Sequence, residues 1–382
     1  MPVNQSYLFK LLLLISLLVG GRSWAEIPMP AAPSLPASGY LLLDFNSNQV
    51  LAEKNADERL EPASLTKIMT AYVVFKELKE GNIKLDDEVL ISEKAWRTGG
   101  SRMFIEVGKR VKIEDLIKGM IIQSGNDACV ALAEHIAGTE ATFAEVMNNE
   151  AKRLGMNNTH FTDSTGLPHE DHYTTPRDIA KVAAATIRDF PEYYAWYKEK
   201  DFFFNQIKQH NRNKLLWRDA SVDGVKTGHT EAAGYCLVAS AQREEMRLIS
   251  VVMGTDSEEA RASASQSLLN YGFRFYETHH LYSAGEALNQ ARIWKGEKEH
   301  LGLGLQHDLS VTIPRNQYKN LDAKMEVEPK IVAPISQGQV LGKVLINLNG
   351  EEIAEAELVA LESVNDGNLW QQVKDSALLL LE

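Results

Sequence analysis

Apolar positions along the chain fall into blocks of different period. Between Gly39 and Asn55 the run GYLLLDFNSNQVLAEKN reads as two short strands around Asn46-Ser47-Asn48, apolar alternation broken by turn formers. From Pro62 the period lengthens, with Ile68, Ala71, Tyr72, Phe75 and Leu78 at helical spacing and a stop before Gly81. That pattern sets Ser64 at a helix N-terminus. Further helical stretches are expected at 114–122, 128–136, 141–154 and 176–188, the last opened by Pro176 in a favourable first-turn position. Ser124-Gly125-Asn126 falls at the junction of two of them.

Beyond Asp219 strand patterns take over at 224–228, 235–241 and 247–253, and a helix at 258–271 closes this part of the chain. The order strands, helices, strands, helix implies an α+β domain, an antiparallel sheet flanked by helices. After about His280 only short strands are expected, at 287–294, 309–313, 323–327, 343–348 and 351–361. Asn349-Gly350 between the last two is a strong hairpin signal. The expected organisation is therefore a first segment at 1–25, a catalytic domain at 26–280, a small all-β domain at 281–364 and a tail at 365–382.

On a helical wheel the tail gathers Leu369, Trp370, Val373, Ala377, Leu380 and Leu381 opposite Gln371, Asp375 and Glu382. Such a helix is too short to cross a bilayer and suits its interface, or else docks on the β-domain or another chain. At the other end, Lys10 precedes the apolar run Leu11 to Val19, and Ser23-Trp24-Ala25 supplies small residues for signal cleavage. The run is far short of the roughly 20 residues of a spanning anchor, so residues 1–25 are expected to be a secretion signal.

Composition narrows the function classes. With 44% hydrophobic and 24% charged residues the chain is neither a polytopic membrane protein nor a disordered one. Without its first 25 residues it carries 38 basic and 52 acidic residues, and no basic block offers itself to nucleic acid. The two cysteines, Cys129 and Cys236, are expected to be free and buried. No C-x-x-C occurs, and His169-Glu170-Asp171-His172 lacks the spacing of H-E-x-x-H, so no metal is implied.

A serine and a lysine three apart on a helix share one face, which brings Lys67 within reach of Ser64. A serine hydroxyl needs such a base, and a partly desolvated lysine gives up its proton more easily. The helix N-terminus adds free N–H groups for a developing oxyanion. S-x-x-K alone is common. Its weight comes from Ser124-Gly125-Asn126 and Lys226-Thr227-Gly228, which follow in order, the last on an expected strand.

These three motifs resemble the signatures of penicillin-binding proteins and serine β-lactamases. More narrowly, Pro62-Ala63-Ser64-Leu65-Thr66-Lys67, Gln123-Ser124-Gly125-Asn126-Asp127-Ala128 and Asp223-Gly224-Val225-Lys226-Thr227-Gly228-His229-Thr230 resemble the low-molecular-mass D-alanyl-D-alanine carboxypeptidases. The resemblance implies a β-lactamase/DD-peptidase-like fold and an acyl-enzyme on Ser64, with Lys67 as general base and Ser124 relaying a proton to the departing D-alanine. It makes Asn126, Lys226, Thr227, Gly228, His229 and Arg261 substrate-binding residues. Asn126 holds the acyl amide, Lys226 tunes the cleft, Thr227 and Arg261 take the terminal carboxylate, and the N–H groups of Ser64 and His229 form the oxyanion hole. No cofactor is implied. The implied partners are peptidoglycan pentapeptide stems, β-lactams as covalent inhibitors and, through the tail, the outer face of the inner membrane in the periplasm. Gly125 replaces the Asp of S-D-N, and Asp163-Ser164-Thr165-Gly166-Leu167-Pro168 stands where a class A β-lactamase would carry E-x-x-L-N, so efficient antibiotic hydrolysis is not expected. Endopeptidase, weak β-lactamase and non-catalytic wall-binding roles remain the alternatives.

Overall fold

Strict alternation along the central strands gives the sheet two apolar faces. Leu41 and Leu43 pack into one core with Val238, Ile249 and Val251, while Leu42 joins a second with Leu237, Ala239, Leu248 and Val252. Successive side chains of a strand point to opposite faces, so one strand serves both cores. A computed structural model describes residues 30–380; the expected secretion signal lies outside the described residues. The sheet comprises β1 (Gly39–Asp44), β2 (Val50–Lys54), β7 (Val222–Thr230), β8 (Gly234–Arg243) and β9 (Met246–Thr255), in the antiparallel order β2-β1-β9-β8-β7. Two short ribbons lie between, β3 (Glu88–Leu90) with β4 (Arg110–Lys112) and β5 (Asp201–Phe204) with β6 (Ile207–His210).

The helix Thr66–Glu80 is buried without a break from Thr66 to Phe75. A helix apolar on nearly all sides belongs inside a domain, and this one sits between the sheet and the other helices. Gly81 ends it in the left-handed conformation, φ 78°. The helices Asn126–Ala137, Glu140–Arg153 and Pro176–Asp189 surround it, and Glu258–Phe275 covers the opposite face of the sheet. The expected helix at 114–122 divides into an α-helix, Ile113–Lys118, and a π-helical turn, Gly119–Gln123, that delivers Ser124 at φ 67°. Its apolar run keeps a helical pattern in sequence although the hydrogen bonding changes, and such turns concentrate at functional sites.

The helix Glu258–Phe275 runs four residues past its expected end and passes directly into β10 (Tyr276–Tyr282), a strand the sequence pattern did not suggest. After it come β11 (Asn289–Trp294), β12 (His300–Gly304), β13 (Leu309–Pro314), β14 (Leu321–Val327), β15 (Ile331–Val332), β16 (Val340–Leu348) and β17 (Glu351–Ala360). β10 pairs with β13, and the other six form a sheet in the order β14-β16-β17-β12-β11-β15 around a third apolar core. Asn349 and Gly350 turn between β16 and β17 with φ 54° and 89°, the two positive angles a tight hairpin prefers. Fully buried Asp44 joins this part to the first sheet, accepting from Thr278 Oγ1 at 2.6 Å, while Ser47 Oγ and Thr312 Oγ1 share a 2.6 Å hydrogen bond.

The tail forms the helix Leu369–Leu378, opened by a capping box of Asn368 and Gln371. Its polar side touches the β-rich part, where Asp375 Oδ2 accepts from Lys295 N at 2.6 Å. Leu369, Trp370, Val373 and Leu380 are exposed at 83, 75, 62 and 88%, so the apolar side is uncovered. Among the described residues no helix is long and apolar enough to cross a membrane.

Candidate active site

A 3₁₀ turn, Ala63–Leu65, introduces the helix that carries Lys67. Ala63 lies in the left-handed region at φ 47°, a conformation that alanine holds only where its surroundings enforce it. Two glycines supply that enforcement. A Cβ on Gly228 would stand 3.1 Å from Pro62 O and 3.3 Å from Leu65 N, and one on Gly166 only 1.8 Å from Ala63 O. The 163–168 turn thus closes on the Ser64 turn at a distance that only glycine permits, and β7 lies against it more tightly than most Cβ atoms pack.

Lys67 is 1% exposed and its Nζ has three partners. Ser64 Oγ lies at 2.8 Å, Asn126 Oδ1 at 2.7 Å and Thr165 O at 2.7 Å. The last two only accept. A neutral amine has two protons, and giving one to each carbonyl oxygen leaves its lone pair facing the single partner with a proton to donate, Ser64. Burial lowers the Lys67 pKa below the ordinary lysine value; Asp163 opposes the shift and Arg212 adds to it. The geometry and the electrostatics both favour the amine as acceptor of the Ser64 proton.

Asn126 is itself fixed, since its Nδ2 donates to Gly99 O at 2.7 Å. Beside it, the buried Asp127 carboxylate accepts from Met103 N and Phe104 N, both at 3.0 Å, and pins the 101–105 segment against the S-G-N junction. Lys226, buried on β7, donates to Ser124 Oγ and to Thr227 O, each at 3.0 Å. Its pKa is pushed well below the ordinary lysine value by burial, then by the positive charges of Lys67 and Arg212. The three motifs therefore form two linked groups, Ser64–Lys67–Asn126 and Ser124–Lys226, joined by the Ser124-Gly125-Asn126 backbone.

Of the remaining anticipated residues, Thr227, Gly228 and His229 lie along β7 and Arg261 on the helix Glu258–Phe275. Thr227 is buried and Gly228 abuts the nucleophile turn, while His229 is exposed and stacks on Tyr235 at 4.0 Å between centroids. Arg261 is buried behind β7, where its Nη1 donates to Gly228 O at 3.0 Å. Sequence reasoning passed over Arg212, an exposed cation whose field reaches Lys67, Lys226 and Arg261. It stands in no motif, and only its position after β6 places it there.

The 163–168 turn contributes a carbonyl, not an acid, to the site. Asp163 Oδ1 accepts from Thr165 N at 2.6 Å, Thr165 Oγ1 at 2.8 Å and Gly166 N at 2.7 Å. Burial opposes ionisation of Asp163, but the hydrogen bonds from Thr165 and Gly166 outweigh it and hold the carboxyl well below its usual range. Among the described residues no cluster of His, Cys, Asp or Glu is arranged to hold a metal. Cys129 and Cys236 are free and buried, and burial pushes their thiols up to about 12 and about 11.

Residues 27–257 match the family of D-alanyl-D-alanine carboxypeptidases, and residues 276–366 match the C-terminal domain of penicillin-binding protein 5. The chain is similar to D-alanyl-D-alanine carboxypeptidase DacC of Escherichia coli, with 47% identity over 91% of this chain and 89% of that protein. It is 43% identical to DacA of the same organism over 91% of this chain and 88% of the other. Among solved structures, penicillin-binding protein 5 of Haemophilus influenzae matches with a TM-score of 0.85 and 44% identity, covering 88% of this chain and all of that one.

Proposed function

We propose how this chain, which belongs to the D-alanyl-D-alanine carboxypeptidase family, removes the terminal D-alanine from peptidoglycan pentapeptide stems. The neutral amine of Lys67 takes the proton of Ser64 as Oγ attacks the carbonyl carbon of the penultimate D-alanine. The N–H groups of Ser64 and His229 receive the developing oxyanion. Asn126 orients the acyl amide, and Ser124, whose Oγ accepts from Lys226, passes its hydroxyl proton to the departing D-alanine nitrogen and takes in exchange the proton that Lys67 received from Ser64, which leaves Lys67 a neutral amine again. Thr227 and the cations Arg261 and Arg212 receive the substrate carboxylate, a group that guanidinium binds well. Water then attacks the acyl-enzyme, with neutral Lys67 taking its proton and returning it to Ser64 Oγ as the ester bond breaks. A β-lactam follows the first half of this path and remains on Ser64.

One observation carries the reading: Lys67 Nζ stands 2.8 Å from Ser64 Oγ and 2.7 Å from each of two carbonyl oxygens, so that in the neutral amine both protons go to the carbonyls and the lone pair to Ser64. Incubation with a D-Ala-D-Ala pentapeptide is expected to release D-alanine, and penicillin to add its mass to Ser64. Ser64→Ala is expected to do neither. Equal D-alanine release by Ser64→Ala would overturn the assignment, and analysis of products from cross-linked muropeptides separates carboxypeptidase from endopeptidase action.

The same proposal places the enzyme in the periplasm. Cleavage of a secretion signal near Ala25 is supported by the charged-apolar-small order of the first 25 residues. Peripheral attachment to the outer face of the inner membrane is supported by the uncovered apolar side of the helix Leu369–Leu378.

A further inference from the structure

His172 belongs to none of the three motifs, yet it is 2% exposed and bound on both ring nitrogens. Nε2 lies 2.9 Å from Thr66 Oγ1, between Ser64 and Lys67 in sequence. Nδ1 lies 3.2 Å from Thr162 N and 3.0 Å from Thr162 Oγ1. A backbone N–H can only donate, so Nδ1 accepts and the ring proton sits on Nε2, donated to Thr66. Phe161 meets the ring edge-on at 5.7 Å between centroids.

The ring stands at the root of the 163–168 turn, with Asp163 Oδ2 at 3.5 Å from Nδ1. That turn and the ring at its root meet the nucleophile element at several points, among them Thr70, whose Oγ1 donates to Ser164 O at 2.7 Å. Gly166 presses on Ala63, Thr165 O holds Lys67 Nζ, and His172 holds the Thr66 side chain between them. Thr165 O fixes one of the two amine protons of Lys67, so a shift of the turn swings the lone pair away from Ser64.

We propose that His172, as the neutral Nε2–H tautomer, is a positioning residue for the Ser64–Lys67 pair. It ties the turn carrying Thr165 to the helix carrying Lys67 and touches neither substrate nor reacting atoms. The inference rests on the roles given to Ser64 and Lys67 above. It predicts that loss of the two ring bonds slows acylation while substrate binding is kept, because the carboxylate-binding groups, Thr227, Arg261 and Arg212, stand elsewhere, on β7, on the helix Glu258–Phe275 and just after β6.

The test is the rate of penicillin addition to Ser64, followed by mass, alongside D-alanine release from a pentapeptide. His172→Phe keeps the ring packing and removes both hydrogen bonds. It is expected to slow acylation and kcat by about ten- to a hundredfold, the scale of misplacement near 1 Å, with KM within about threefold of the parent. His172→Gln, which has one amide donor for Thr66 and one oxygen to accept from Thr162 N, is expected to recover most of the rate. A purely packing role would leave the glutamine variant no better than the phenylalanine one. If His172→Phe does not fold, Thr66→Val removes the other end of the same bond and is expected to slow acylation in the same way. In the intact parent, ¹⁵N spectra of the imidazole are expected to show a bare Nδ1 at neutral pH. A proton on Nδ1, or a His172→Phe variant with parental acylation, would overturn the proposal. A parent that adds penicillin but releases no D-alanine would refute the substrate reading and leave this test standing.

Discussion

Gly166→Ala measures how closely the 163–168 turn governs the nucleophile. The new Cβ would lie 1.8 Å from Ala63 O, 2.4 Å from Ala63 C and 2.7 Å from Thr66 Oγ1. Cβ atoms essentially never approach other heavy atoms within 3.0 Å, so turn and nucleophile must separate by about 1.2 Å. Thr165 O moves with the turn and Ser64 with Ala63, which pulls the Lys67 hydrogen bonds in opposing directions. A misplacement near 1 Å costs on the order of a hundredfold in rate. Overpacking adds about 1–3 kcal/mol of lost stability, and the left-handed φ of +81° adds about 1–2 kcal/mol more. Gly81→Ala is the matched control, with φ +78° and nothing within 4 Å of its Cβ, so it bears the conformational cost alone. The assay is single-turnover penicillin acylation under conditions where melting curves show both variants folded. A hundredfold slower Gly166→Ala beside an unaffected Gly81→Ala is the expected result; parental acylation by Gly166→Ala would refute the reasoning.

Acylation requires neutral Lys67, whose pKa burial has lowered from 10.5, so kcat/KM should rise with pH and level off below 10.5; a rate still climbing through that pH would contradict the assignment. Lys226 likewise has a folded pKa below its unfolded value, so the unfolded chain binds more protons between the two values and the buried lysine costs most stability below the folded one. Relative to the parent, Lys226→Met should therefore gain stability at neutral pH and lose that gain as pH rises toward 10.5, with acylation impaired throughout; a pH-independent difference in melting temperature would count against it. Replacing Leu369, Trp370 and Val373 by Ser removes three exposed apolar side chains, each providing about 1.5–3 kcal/mol when buried. Co-sedimentation with anionic lipid vesicles should fall at least about a hundredfold with penicillin acylation unchanged, and undiminished sedimentation would reject the tail as the membrane contact.

Periodic features were visible in the sequence, and features without a period were not. The helix Thr66–Glu80 and the hairpin at Asn349-Gly350 carry repeated or paired signals, and both stand where the pattern put them. The ribbons β3–β4 and β5–β6 have strands of three or four residues, too short for alternation to register. β10 follows a helix with no turn former between them. In the site, side chains grouped in motifs were found by type and order. Thr165 was missed because it acts through its carbonyl, which every residue possesses. His172 was noticed only as part of a failed metal motif, since its partners, Thr66 and Thr162, are remote or unremarkable in sequence. Arg212 depended on where a short ribbon returns the chain.

The sheet order leaves β7 hydrogen-bonded to β8 alone. Its outer margin pairs with no further strand among the described residues and lies beside the Ser64 turn, held close by the missing side chain of Gly228. An extended peptide laid along that margin would be gripped through its own amides and carbonyls, which are the same in every sequence. Reading a ligand by its main chain would make the enzyme indifferent to much of what hangs from it. Discrimination then falls to the end of the ligand, where the chain must stop and present a charge, much as a ruler is indifferent to the material it measures and sensitive only to where it ends.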